Sequence, residues 1–94
     1  MKFMEFSDKD KIKATILYHL RRKKVIGNVH THFDTLKKGF PTHLGKEVDK
    51  VAKQLVKERF MITKPTSYGL QISLNKENSS ISINLILKIL GKVF

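Results

Sequence analysis

Near Phe60 the spacing of apolar residues changes from helical to alternating, and that change points to a chain that mixes helices with a sheet. Before it, Ile12, Ile16, Leu17 and Leu20, and then Leu44, Val48, Val51, Ala52 and Leu55, recur at the steps of one buried helix face. After it, Phe60, Ile62 and Lys64 alternate with Met61 and Thr63, and Leu70, Ile72 and Leu74 alternate with Gln71 and Ser73. Between these runs lies Pro65-Thr66-Ser67-Tyr68-Gly69, so two strands joined by a turn are predicted. Helices followed by a hairpin make an α+β fold, and 94 residues suffice for a single domain with one modest core.

Boundaries follow from capping chemistry. Ser7 with Asp10 reads as a capping box that starts a first helix, and Arg21-Arg22-Lys23-Lys24 suits the negative end of its dipole. Val25 to Val29 breaks the helical period and predicts a short extended piece or loop. Thr31 with Asp34 reads as a second capping box, with Phe33 and Leu36 on one face and Gly39 as a left-handed stop, which predicts a short helix over about 31–38. Pro41 disfavours helical geometry at Phe40, and Thr42 is placed to cap a third helix that runs to about Glu58. The polar run Asn75 to Ser80 ends the hairpin. Beyond it, Ile81, Ile83, Leu85, Leu87 and Ile89 alternate as in a strand, whereas Ile81, Leu85 and Ile89 with Ile86 and Leu90 also fit a helix. About ten residues is long for a strand in so small a domain, so a helix is expected. The domain core is then about 8–75 and the C-terminal segment about 79–94.

Charge sets the class of partner. Lys plus Arg number 19 against 8 Asp plus Glu, a net charge of +11. A chain this basic attracts polyanions, because each phosphate neutralised releases condensed counterions. On the third helix Lys46, Lys50, Lys53 and Lys57 fall within a sector of roughly 60°, opposite the Val48, Val51, Ala52 and Leu55 stripe. Glu47 and Asp49 flank that sector, within reach of lysines at helical neighbour spacing. Lysine is a point-like phosphate ligand and a poor bidentate reader of bases, so this face predicts backbone affinity better than sequence choice. Thr42, His43 and Gln54, with Lys46, are the candidates for base contact. Further phosphate ligands are expected from Arg21 and Arg22, from Lys37 and Lys38, and from Lys64, Thr66, Ser67 and Tyr68 of the hairpin turn, although Tyr68 equally suits packing against the hairpin.

Other chemistries find little support. The chain has no cysteine, which removes disulfides and thiolate metal sites. His30, His32 and Asp34 superficially resemble metal ligands, but residues two apart on a helix start do not share a face and no distant third ligand completes a set. There is no glycine-rich phosphate loop and no histidine with an orienting acid beside a nucleophile, so neither catalysis nor a cofactor is expected. Met1 to Phe6 leads at once into polar Ser7-Asp8-Lys9-Asp10, unlike a secretory leader. The apolar-rich stretch Ile81 to Leu90 is far shorter than the roughly 20 residues of a membrane span. A cytoplasmic protein without membrane contact is the expectation.

The order helix, short helix, tight turn, helix, hairpin is that of a winged helix-turn-helix module. From Asp8 to about Asn75 the chain resembles the winged-helix DNA-binding domains of small archaeal proteins of transcription-regulator type. The likeness is carried by Lys38-Gly39-Phe40-Pro41 before the third helix and by Lys64-Pro65-Thr66-Ser67-Tyr68-Gly69-Leu70-Gln71-Ile72-Ser73-Leu74-Asn75 across the wing. It implies a recognition helix at Leu44 to Glu58, set in the major groove of double-stranded DNA, and a wing centred on Thr66 and Ser67 on the phosphate backbone. The C-terminal segment would then either cover the core or pair with a second copy, a homodimer that sets two recognition helices on neighbouring half-sites. Two further readings stay open: an RNA- or ribosome-associated winged helix that grips phosphates by shape, and a module for protein interaction.

Overall fold

Helix α1 (Asp8–Arg22) buries Ile12, Ile16, Leu17 and Leu20, the periodic positions read from the sequence, and Ala14 besides. The computed structural model describes residues 8–91; Ser7, the expected cap of this helix, lies outside them. The helix ends where Lys24 turns left-handed, at φ 58°. Val25 N–H then donates to Leu20 C=O and Lys24 N–H to Arg21 C=O. This is a Schellman closure, with Val25 as its buried apolar contact. The chain next runs briefly beside the end of the later hairpin, Leu74 N–H donating to Val25 C=O and Gly27 N–H to Leu74 C=O.

Here the structure departs from the expected second helix. Thr31–His32 is a strand, β1, and a 3₁₀ segment follows over Phe33–Gly39 in place of a helix over 31–38. The capping box is not formed: His32 stands at the cap without a side-chain hydrogen bond, and the Thr31 hydroxyl meets that of Thr35 at 3.2 Å. The chain here pairs with the edge of the later hairpin, Thr31 opposite Ile72 and His32 opposite Gln71, while the His32 carbonyl accepts from the Thr35 hydroxyl. Gly39 is not a left-handed stop either, since it is absent from the positive-φ glycines. Its lack of a side chain leaves room for a neighbour instead. A Cβ there would lie 2.7 Å from His19 Cε1, so a side chain at this position would shift the α1 imidazole.

A second 3₁₀ turn, Thr42–Leu44, leads into helix α2 (Gly45–Lys57). Thr42 does not cap it: neither the turn nor the helix has a side-chain cap, and the Leu44 N–H is held by Pro41 C=O at 3.0 Å. Helix α2 buries Val48, Val51, Ala52 and Leu55 of the predicted stripe, while Leu44, its expected first member, lies half-buried in the 3₁₀ turn before the helix. It closes as α1 does, with Arg59 left-handed at φ 67° and Phe60 N–H donating to Leu55 C=O.

Strands β2 (Met61–Thr66) and β3 (Gly69–Leu74) form the predicted hairpin, and β1 adds a third strand in the order β1-β3-β2, antiparallel throughout. Met61, Ile72 and Leu74 face the core. Asn75 and Asn78 both donate their side-chain amides to Arg59 C=O, which ties the end of the hairpin to the end of α2.

The C-terminal segment is a helix, α3 (Ser79–Leu90), as its length predicted. Ile86 enters the core, with Leu85 and Leu90 against it. Ser80, Asn84 and Lys88 share the opposite sector, all exposed, between exposed Ile81 and Leu87. Through these contacts the segment covers part of the core, one of the two roles left open for it. Among the described residues no helix is long and apolar enough to cross a membrane. The whole is a small α+β protein with a three-stranded antiparallel sheet.

Candidate nucleic-acid interface

Helix α2 carries the charge where the spacing of its residues places it. Lys46, Lys50, Lys53 and Lys57 are all exposed, and Val48, Val51, Ala52 and Leu55 on the opposite side are between 0 and 4% exposed. The helix is thus divided lengthwise, one half in the core and the other in solvent. None of these lysines forms an ion pair among the described residues. Asp49 pairs with Lys37 of the first 3₁₀ segment at 3.1 Å, not with a neighbour on its own helix. That pairing leaves the α2 column charged and takes Lys37 out of the set of free cations.

Glu58, just past the end of α2, accepts from Lys13 of α1 at 2.9 Å and from Gln54 at 3.1 Å. These hydrogen bonds, that of Lys13 first, hold its carboxyl below the usual range against the opposing effect of burial. A cleft of about 390 Å³ between the helices is lined by Lys9, Asp10 and Lys13 of α1 and by Lys50, Val51 and Gln54 of α2. Lys9 therefore joins the basic face, which the sequence reading missed, while Lys13 is matched by Glu58 as Lys37 is by Asp49; the tie between Lys13 and Glu58 spans 45 residues and leaves no local signal. Gln54, the best-suited base reader on this helix, has one amide proton engaged with Glu58 and keeps its carbonyl oxygen and second proton.

The other predicted side chains divide. Thr42 and His43 are exposed ahead of α2. On the hairpin, Tyr68 is 87% exposed, so it stands clear of the hairpin and does not pack on it. Lys64 and Ser67 are exposed beside it. Thr66 is occupied: its hydroxyl donates to Gly69 C=O at 2.7 Å and accepts from Tyr68 N–H, so its one proton closes the turn and is not offered outward. Gly69 takes φ 121° in that turn, which explains the glycine. Across the sheet, His32 and Lys64 both lie in register with Gln71, which makes a polar row of three strands on one face.

Arg21 and Arg22 do not belong to this surface. Arg21 donates to Ser82 of α3 at 3.3 Å, and burial lowers its pKa. Arg22 donates to the Tyr18 hydroxyl and lies 5.8 Å from that ring's centroid, a contact that raises its pKa. Both sit about 12 Å beyond Lys13 along the α1 axis. Lys38 lines two cavities, one between α1 and the first 3₁₀ segment and one shared with Pro41, Thr42 and Gly45 at the start of α2. Among the described residues no group of three or more His, Asp or Glu converges as a metal ligand set. No protein family, no curated protein and no solved structure matches this chain.

Proposed function

We propose that this protein is a winged-helix nucleic-acid-binding protein, without catalytic activity, that grips duplex DNA and acts as a regulator of transcription. In this reading α2 is the recognition helix, seated in the major groove, and the β2–β3 hairpin is the wing on the neighbouring backbone. The observation that carries it is the column Lys46, Lys50, Lys53 and Lys57, exposed along the whole of α2 and opposed by a buried stripe. Lys9 on α1 and Lys64, Ser67 and Tyr68 on the hairpin extend the donors to either side. Because the column is lysine, binding is governed by phosphates and sequence preference is modest.

The test is binding of a random-sequence duplex across a salt series, with the wild type compared with the triple variant Lys46→Glu, Lys50→Glu, Lys53→Glu. For the wild type, four to five phosphate contacts give a log–log salt slope of about −4. The variant is expected to lose binding while keeping its thermal transition, since exposed charges away from packing each move stability by about 0.5 kcal/mol or less. Affinity unchanged by the charge reversals would overturn the proposal. A structured RNA that outcompetes duplex DNA in the same titration would move it to the shape-reading alternative.

A further inference from the structure

Between α1 and the first 3₁₀ segment lies a cavity of about 310 Å³, lined by Ile16, His19, Leu20 and Lys23 on one side and Thr31, Thr35, Leu36, Lys38 and Gly39 on the other. Its floor is apolar: Ile16, Leu20 and Leu36 all belong to the core. Its rim is cationic. Neither Lys23 nor Lys38 forms an ion pair among the described residues, whereas Lys37, the neighbour of Lys38, is matched with Asp49. No Asp or Glu is among the lining side chains.

The hydroxyls narrow what can be bound. Thr35 donates its only proton to His32 C=O, so the Thr31–Thr35 contact is donated by Thr31. Both threonines therefore have only lone pairs left to offer. The donors that remain are the two ammonium groups and the His19 N–H. His19 is half-buried, with its ring held against Gly39 and 6.3 Å from that of Phe40. Burial, and then the charges of Lys23 and Arg22, lower its pKa. Lys38 lines the same cavity from the 3₁₀ segment, again a cation.

We infer that this cavity is a binding site for a small organic carboxylate, with the carboxylate set between Lys23 and Lys38 beside His19 and a compact apolar body against Ile16, Leu20 and Leu36. Two unmatched ammonium groups with an imidazole donor call for an anion. The apolar floor favours an organic anion over phosphate, and the volume lies at the lower end of small-molecule sites. The inference goes beyond the nucleic-acid reading and does not rest on it, because none of these residues belongs to the α2 column.

The probe is phenylacetate, followed by the His19 imidazole resonances during titration of the full chain. A saturable shift with a dissociation constant of the order of a millimolar is expected for a ligand of this size. The neutral isostere phenylacetamide should bind at least tenfold more weakly, and so should phenylacetate to the double variant Lys23→Gln, Lys38→Gln, whose exposed side chains can change without loss of fold. The triple variant of the α2 column should bind phenylacetate as the wild type does, which separates this site from the nucleic-acid surface. No saturable shift, an equal response to phenylacetamide, or inorganic phosphate binding as tightly as phenylacetate would each overturn the inference.

Discussion

At the scale of single residues, the contact between His19 and Gly39 decides how closely α1 and the first 3₁₀ segment approach. A methyl group at position 39 would fall 2.7 Å from Cε1 and 2.9 Å from Nδ1 of His19, so Gly39→Ala forces the ring out of its place between Gly39 and Phe40. Because the far end of a half-buried side chain can give way, the cost in urea unfolding is expected to stay below about 1 kcal/mol, and it should vanish in the His19→Ala background, which the double-mutant cycle measures directly. The same ring gives the protein a pH dependence of known sign. Burial, Lys23 and Arg22 lower its pKa from 6.5, so the folded state resists a proton that the unfolded state accepts. The stability this contributes is complete above 6.5 and is lost as the pH falls through the lowered value. Thermal midpoints measured from pH 8 to pH 5 should decline over that window, and His19→Gln should flatten the decline.

At the scale of elements, α1 and α2 end alike and at a similar cost. Lys24 and Arg59 are the only non-glycine residues with positive φ among those described, each at the position where such closures favour glycine. A side chain in that conformation costs about 1 kcal/mol, so Lys24→Gly should raise stability by up to that amount, measured by chemical denaturation. Arg59→Gly should gain similarly, because the contacts from Asn75 and Asn78 go to its carbonyl and survive the change. Both helix ends are invisible to a search for glycine stops. What the sequence does show is the apolar residue that follows, Val25 after α1 and Phe60 after α2, which covers each closure.

At the scale of the whole molecule, a net charge of +11 acts in opposite directions on folding and on binding. Crowded cations repel within the folded chain, and the described ion pairs, Lys13–Glu58 and Lys37–Asp49, neutralise few of them. Raising the ionic strength from about 0.02 M to 0.2 M shortens the screening length roughly threefold, so the thermal midpoint is expected to rise while affinity for duplex DNA falls. A thermal scan and a binding titration over one salt series read both effects. A midpoint that falls with salt would show that attractive pairs, not repulsion, dominate the surface.

Periodicity alone determined the buried faces of α1 and α2, the hairpin with its turn, and the exposed lysine column, because each is a repeat within one element and each side chain's direction follows from position in the repeat. Length was enough to choose helix over strand for Ser79 to Leu90. Contacts between distant segments were decided only by the tertiary structure. Thr31 and Asp34 match a capping box, yet the edge of β3 offered the backbone of Thr31 and His32 a better partner, and the local motif gave way. Likewise Glu58 recruits Lys13 from 45 residues away, Asp49 takes Lys37, and Ser82 takes Arg21, so which cations stay free on the surface depended on how the helices pack. Side-chain spacing is written in the chain; the neighbour across a packed interface is chosen by the fold as a whole.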